Sequence, residues 1–561
     1  MNGLDWSVVA IYIAAMIFMS WWLGRKQEDM QSYYLGGNNL SWWSIGISTM
    51  ATQCSTNSLL GAPAFIITTG LLWLQYEFAV PMAMVIIMIF LLPFYRKLNL
   101  VSIYEYLERR FGKGTRTLLS VVFQFLRAFA TGVTVYGISI VLQEIVGIPF
   151  AVSVLILGTV TIIYDMLGGM EAVVYSDVIQ MGVLYLGIVL CVFYSVDAVG
   201  GLEAVFELFP KVGETIEART GEELNFSGFS AVDFEGHGFG DGKTFAFWPM
   251  LIGGLFLYVS YYGCDQTQVQ RELSSKDLDD TNLSLMLNGL MRFPLVLTYC
   301  FMGVCIGAFI VQSPEFLDTL AIAQPDGKVE YNYNLAVPKF VLGHLPHGII
   351  GLVIVALFSA AMSSLDSTIN SLSATSMKDI YEQFMLGEGQ EMTPERQLRV
   401  SRAFTVFWGV VCVAFSFFVG GISKSVIESV NKIGSLANGP ILALFLLGIL
   451  TRRANSTGAV VGLLSGFGVN AGLWIFAPDV SWLWWNVIGF VVSFAVGYGV
   501  SLVAGKSPEA EGRSLEGLVY YKGVAESFKY RLNWPRNYAI MGVYTLVMVV
   551  ICIMIGQIGG S

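Results

Sequence analysis

Apolar stretches, many of them close to the 20 or so residues that cross the hydrocarbon core of a bilayer as helix, recur along the whole of this 561-residue chain. Trp6 to Gly24, Phe78 to Phe94, Val178 to Tyr194, Ile349 to Met362, Ile441 to Leu450 and Tyr538 to Ile558 are among them. Hydropathy gives about fourteen crossings. With 55% hydrophobic and only 13% charged residues, an ordinary soluble domain is excluded. The expected class is an all-α polytopic membrane protein of the plasma (inner) membrane, surrounded by the lipid bilayer and with no nucleic-acid partner. The first span has no basic segment before it and no A-x-A cleavage pattern after it, so it reads as a retained helix. Seven cysteines stand singly without a CxxC pair, which suggests helix packing rather than a disulfide frame or a zinc site. The net charge of −10 comes mostly from acids in polar loops, where solvation explains it.

If the first span enters from outside, most of the 31 Lys and Arg gather on one side, including Arg96, Arg109, Arg110, Arg116, Arg271 and Arg453. That side is then the cytoplasm. The acidic, glycine-rich stretch at 198 to 245 becomes an external loop, and three cations are left at membrane depth: Arg127, Arg292 and Lys432. Buried cations are costly and face a cavity or a partner, unless they snorkel to an interface.

Residues 41 to 70, SWWSIGISTMATQCSTNSLLGAPAFIITTG, are apolar enough to cross, yet Thr52, Gln53, Cys54, Ser55, Thr56, Asn57 and Ser58 interrupt them, followed by Gly61 and Pro63. About two hundred residues later FWPMLIGGLFLYVSYYGCDQTQVQR, 247 to 271, is interrupted again. Two broken spans at matching places in two halves point to an inverted repeat around a central site; the other reading is that the glycines only permit close helix packing. ALFSAAMSSLDSTINS, 356 to 371, adds a third signal. At 3.6 residues per turn Ala360, Ser363, Ser364 and Ser367 share a face, with Asp366 beside Ser363. Hydroxyls and one carboxylate are hard ligands that suit Na⁺, K⁺ or a proton. A lone serine back-bonds to its own helix instead, but three serines and an acid on one face argue against that. Asp177 opens a span, either as a ligand or as an acid favoured by the helix dipole.

These residues resemble the sodium/solute symporters, the family of the sodium/glucose, proline, iodide, monocarboxylate and sialic acid cotransporters. YYLGGNNLSWW (33–43) is similar to the family's entry motif, YEYLERRFG (104–112) to its cytoplasmic amphipathic helix, and LGGMEAVVYSDVIQ (167–180) to its central signature. DQTQVQR (265–271), SSLDSTINSLSATSMKDIY (363–381) and NGPILALFLLGILTRRA (438–454) follow in the family's order. The resemblance implies a LeuT-like fold of two inverted five-helix repeats plus peripheral helices. On that pattern residues 1–40 hold an N-terminal peripheral helix and the entry motif, and 41–197 the first repeat. An extracellular loop would fill 198–244, the second repeat 245–451, and C-terminal peripheral helices 452–561.

It also implies a sodium site on the carbonyls of Ala51, Cys54 and Ala360 and the hydroxyls of Ser363 and Ser364, with a second ion near Asp177, Asp366 and Ser367. Glu77, Arg292 and Asn431 match polar sugar contacts of the sodium/glucose branch, but Ser58 stands where that branch has a glutamine, and Ala130 where another amide is expected. Arg292 and Arg127 could instead pair a substrate carboxylate bidentately. Tyr261 and Tyr262 fall at an aromatic gate. Asp165 departs from the signature, which has a small or apolar residue there. The function implied is sodium-coupled symport of a small polar solute, a sugar or an organic acid, by alternating access. Two alternatives are a transporter-like sensor, which would need an output module after IGQIGGS, and a sodium channel without solute coupling. An enzyme is not expected: no Walker A lysine motif, HExxH or GxSxG is present, and His237, His344 and His347 lie in predicted external loops. GLLSGFGVNAG (462–472) imitates a dinucleotide fingerprint, but inside an apolar span it reads as helix packing.

Overall fold

The computed structural model describes residues 1–54, 57–323, 329–386, 392–419, 426–503, 514–520 and 529–558. Ser55 and Thr56, in the interrupted stretch, lie outside them. Helix dominates; a two-stranded antiparallel hairpin, Ala321–Ala323 with Val329–Tyr331, is a small exception. Eleven helices among the described residues are long and apolar enough to cross a membrane. The expected total of about fourteen differs because Phe150–Val199 joins two helices end to end in one stretch of 50 residues, and because two spans are interrupted. The long element turns at Gly169, whose φ of 53° and ψ of −153° leave the helical region. Only glycine fits there, since a Cβ would stand 2.5 Å from the Tyr33 carbonyl oxygen.

Burial separates centre from periphery. The most apolar window of Ile349–Met385 is 83% buried, against 28% for Gly3–Gly24 and 22% for Trp534–Ile558. The serine-bearing helix, Ile349–Thr375, is therefore the axis of the molecule, and the first and last helices are outer staves. Those outer helices also complete backbone hydrogen bonding inside. Pro294 lies within Leu278–Gln312 and cannot donate to the Leu290 carbonyl; the Tyr544 hydroxyl donates to it instead, at 2.8 Å. Pro440 within Val426–Leu450 deprives Leu436 in the same way, and Asn470 Nδ2 donates to that carbonyl at 3.1 Å. In lipid such compensation is obligatory.

The 462–472 stretch lies inside the helix Ser456–Phe476, packed on Trp482–Val503. A Cβ at Gly462 would meet the Ser493 carbonyl at 2.4 Å, so glycine here serves close packing. The amphipathic segment forms the helix Tyr104–Phe111. Its Arg110, fully buried, donates to the carbonyls of Gly448, Thr451 and Ala454, at and just beyond the C-terminal end of Val426–Leu450. Arg271, counted among the cytoplasmic cations, is wholly buried in the protein. The short helix that carries it, Gln266–Leu273, has all eight residues buried.

Candidate functional site

Trp42–Gln53 stops at Cys54, whose φ of −79° and ψ of 68° are not helical; the chain then passes through a turn at Asn57–Gly61 into Ala62–Thr69. A helix end leaves its last carbonyls without intrahelical donors. The carbonyls of Ala51 and Thr52, in that last turn, meet the serine helix. Ser363 Oγ stands 3.5 Å from the Ala51 oxygen and 3.4 Å from the Ala360 oxygen. Ser364 Oγ stands 3.5 Å from the Thr52 oxygen and 3.4 Å from the Ala360 oxygen. Ordinary hydroxyl hydrogen bonds cluster at about 2.7–2.8 Å. Oxygens about 3.4 Å apart are instead the edges of an octahedron with metal–oxygen distances of about 2.4 Å, a length typical of large hard cations. The four contacts measured among these five oxygens are of that length. The Thr52 carbonyl was not foreseen; Cys54, which was, ends the helix beside them.

One turn along the same helix the spacing closes up. Ser367 Oγ donates to the Ser363 carbonyl at 2.5 Å and also meets an Arg271 Nη. Arg271 reaches Ser48 Oγ at 2.8 Å and Asp177 Oδ2 at 3.4 Å, and Ser48 donates to the same carboxylate at 2.5 Å. Asp366 accepts from Tyr164 at 2.6 Å and from the Ser367 amide at 2.5 Å. Asp177 Oδ1 is buried with no donor. Asp165 belongs to this layer too: Asn370 Nδ2 donates to its Oδ1 at 3.1 Å, one turn beyond Asp366. Tyr164 and Asn370 thus tie the same two helices in opposite directions.

A cavity of 1140 Å³ opens beside the oxygen cluster, and Thr52 and Ser364 line it together with Ser58, Arg127, Arg292 and Asn431. Tyr261 lines it as well, whereas Tyr262 is buried with its hydroxyl on Gln53 Oε1. The two expected cations differ in their engagement. Arg292 is locked in a fork with Glu77, Nε to Oε2 at 2.6 Å and Nη2 to Oε1 at 3.3 Å, with side chains 7% and 1% exposed. Arg127 reaches Asp265 Oδ2 at 2.7 Å, with side chains 22% and 18% exposed, and lies over the Tyr261 ring, while its Nε has no acceptor among the described residues. Asp265 opens the DQTQVQR motif and is not among the site residues expected from the sequence. Its signal was present: an aspartate where a broken helix restarts is a favoured N-cap, and Arg127 needed a carboxylate.

Three comparisons bear on this arrangement. The family model described as the sodium:solute symporter family matches residues 33–466. A sodium/sialic acid symporter of Aliivibrio fischeri is 28% identical over 503 residues, 88% of this chain and 92% of that protein. A sodium/glucose cotransporter of Vibrio parahaemolyticus is 27% identical over 83% of this chain and 84% of its own length. Among solved structures, the substrate-bound outward-open state of a Na⁺-coupled sialic acid symporter superposes with a TM-score of 0.77 at 25% identity, covering 90% of this chain and 99% of that one.

Proposed function

The chain belongs to the sodium:solute symporter family, and from that premise we propose that its solute is a small organic anion whose carboxylate is anchored at Arg127. Sodium coupling and the LeuT-like fold come with the family and the structural likeness. The reading of the solute rests on the unequal cations. Arg292 already spends its fork on Glu77, whereas Arg127 is partly exposed to the cavity with an idle Nε. A bidentate carboxylate would satisfy that donor. One relative's name gives sialic acid, a carboxylated sugar, and another's gives glucose, a neutral one. Asn431 and Ser58 remain for hydroxyl or amide groups of the same solute, and Tyr261 for its inner boundary, with Tyr262 buried behind it.

Sodium is assigned to the carbonyls of Ala51, Thr52, Cys54 and Ala360 with the hydroxyls of Ser363 and Ser364. The observation that carries the coupled reading is that Thr52 and Ser364 belong both to this cluster and to the cavity wall. An ion bridging the broken helix to the serine helix fixes the wall that the solute needs, so each ligand tightens the other by the same factor. A potential of ~100 mV is worth ~2.3 kcal/mol per charge moved, and a tenfold sodium gradient adds about 1.4 kcal/mol. One sodium with a monoanion is electroneutral and forgoes the first contribution. A second cation at Asp177, Asp366 and Ser367 restores it, and the idle Asp177 Oδ1 is the oxygen left for that ion. The repeats are taken to span 41–197 and 245–451, in a plasma or inner membrane.

Thermal unfolding of the purified protein with sialic acid, lactate and glucose, each with and without sodium, tests the assignment. A true solute stabilises cooperatively with the ion. Stabilisation by a carboxylate in sodium is expected; stabilisation by glucose alone overturns the anionic solute. No stabilisation by sodium at any concentration overturns the oxygen cluster.

A further inference from the structure

Asp265 sits where the second broken helix restarts, extended at φ −100° and ψ 125°, between Gly254–Cys264 and Gln266–Leu273. Its two oxygens have different tasks. Oδ1 accepts from the Thr267 amide at 2.8 Å and caps the short helix, while Oδ2 holds Arg127 at 2.7 Å across the cavity wall. Arg127 also lies over the Tyr261 ring, with Cζ 5.1 Å from its centroid, and Gln268 donates to the Tyr261 hydroxyl at 2.8 Å. The capped helix is bound closely to the serine helix. Thr267 and Ser371 hydroxyls are 3.0 Å apart, Gln270 donates to Asn370 at 2.9 Å, and Arg271 reaches Ser367. A carboxylate of the protein itself therefore occupies the guanidinium that faces the solute, on a segment whose far end enters the layer of Asp177 and Asp366.

We propose that Asp265 is a built-in competitor for the solute's carboxylate at Arg127, a specificity residue whose displacement links solute binding to the Gln266–Leu273 helix. This rests on the reading of an anionic solute at Arg127. In the empty carrier the pair closes the cavity wall and keeps neutral solutes from finding a lone cation. An incoming carboxylate takes Arg127 by a fork, a stronger geometry than the single contact it replaces. Asp265 Oδ2 is released while Oδ1 keeps its cap. A charged tie between the Lys113–Val146 helix and the short helix is then lost, and the segment bearing Arg271 is free to shift against the cation layer.

Asp265→Asn tests this, because asparagine caps a helix as well as aspartate but cannot pair with Arg127. Binding of sialic acid and lactate to the full-length protein at saturating sodium is measured beside that of their methyl esters, together with the maximal rate of uptake in proteoliposomes. Carboxylate affinity is expected to rise tenfold or more, ester affinity to stay within twofold, and the maximal rate to fall at least fivefold. A purely structural loss would lower affinity and rate together. Asp265→Ser, also a capping residue, decides the matter if the first variant unfolds: tighter carboxylate binding supports the competitor, and unchanged or weaker binding overturns it. Arg127→Gln separates the two claims. If carboxylate binding survives that change, the anionic solute reading fails; if it is lost while neither Asp265 variant tightens binding, only the competitor fails.

Discussion

Two polar layers lie one turn apart on the serine helix and could hardly be built more differently. The layer of Ser363 and Ser364 has no charged side chain, and its oxygens stand 3.4–3.5 Å from one another. The layer of Asp366 and Ser367 has three carboxylates, those of Asp165, Asp177 and Asp366, and a guanidinium, all wholly buried, with contacts as short as 2.5–2.6 Å. Neutral oxygens held apart can bind and release a monovalent ion reversibly. Carboxylates facing a resident arginine are drawn tight by that cation, and Asp177 Oδ1 is the oxygen there left for a second ion in the proposed cycle. The difference teaches that polarity in a membrane helix has two uses, and that spacing, more than residue type, tells them apart.

The comparison breaks most violently at Arg271. Replacing it by Ala leaves Asp177 and Asp366 without their cation, and removing one partner of a buried ion pair costs about 3–5 kcal/mol. Loss of folded protein in detergent is expected, with partial rescue when Asp177→Asn is added. A single variant as stable as the parent would mean that the lower layer is not held by its own arginine. In the upper layer the effect moves from stability to affinity. Ser364→Ala removes one proposed ion ligand while leaving helix packing intact, so stability without sodium should change by less than about 0.5 kcal/mol. The sodium concentration for half-maximal uptake should rise tenfold or more, equivalent to about 1.4 kcal/mol. At 100 times its dissociation constant a bound ion stabilises by about 2.7 kcal/mol, and a melting curve in sodium should show that increment shrink. Unchanged sodium dependence would remove the upper layer from the mechanism.

The sequence discloses the upper layer better than the lower one. Clustered hydroxyls with Gly61 and Pro63 betray the helix break, and the spacing of Ala360, Ser363 and Ser364 betrays the face opposite it. The Thr52 carbonyl was invisible because a backbone oxygen has no letter of its own; only the place where the helix ends exposes it. The surroundings of Arg271 are not legible in the sequence, because only tertiary folding wraps it in Ser48, Asp177 and Ser367. Asp165 had no account in sequence terms, because its meaning is a tie to Asn370 more than two hundred residues away. The Arg292 fork with Glu77 was missed for the same reason, although each residue was picked out singly.

The lower layer also has a subtler test, concerning the ion it is proposed to share. Asp177→Asn keeps the donors from Ser48 and Arg271 within reach of an oxygen but removes a charge. Sodium affinity at the upper layer should change less than threefold, whereas the charge moved per solute, read from the reversal potential in proteoliposomes, should fall by one. An unchanged ratio would leave the lower layer as scaffold only.

The smallest expected effect on transport lies outside both layers and sets the baseline for them. Tyr544→Phe takes the donor from the Leu290 carbonyl, which Pro294 already leaves without a helical partner. Leaving one buried acceptor unsatisfied costs about 1–3 kcal/mol, and in lipid no water intrudes to replace it. Thermal stability should therefore drop by that amount while the sodium and solute concentrations for half-maximal uptake stay as they were. Because Tyr544 sits on an outer helix, a shift in sodium affinity there would show that changes of stability and of ion binding are not separable in this bundle. The contrast drawn between Arg271 and Ser364 depends on their being so, which makes this modest variant the control on which the larger ones are read.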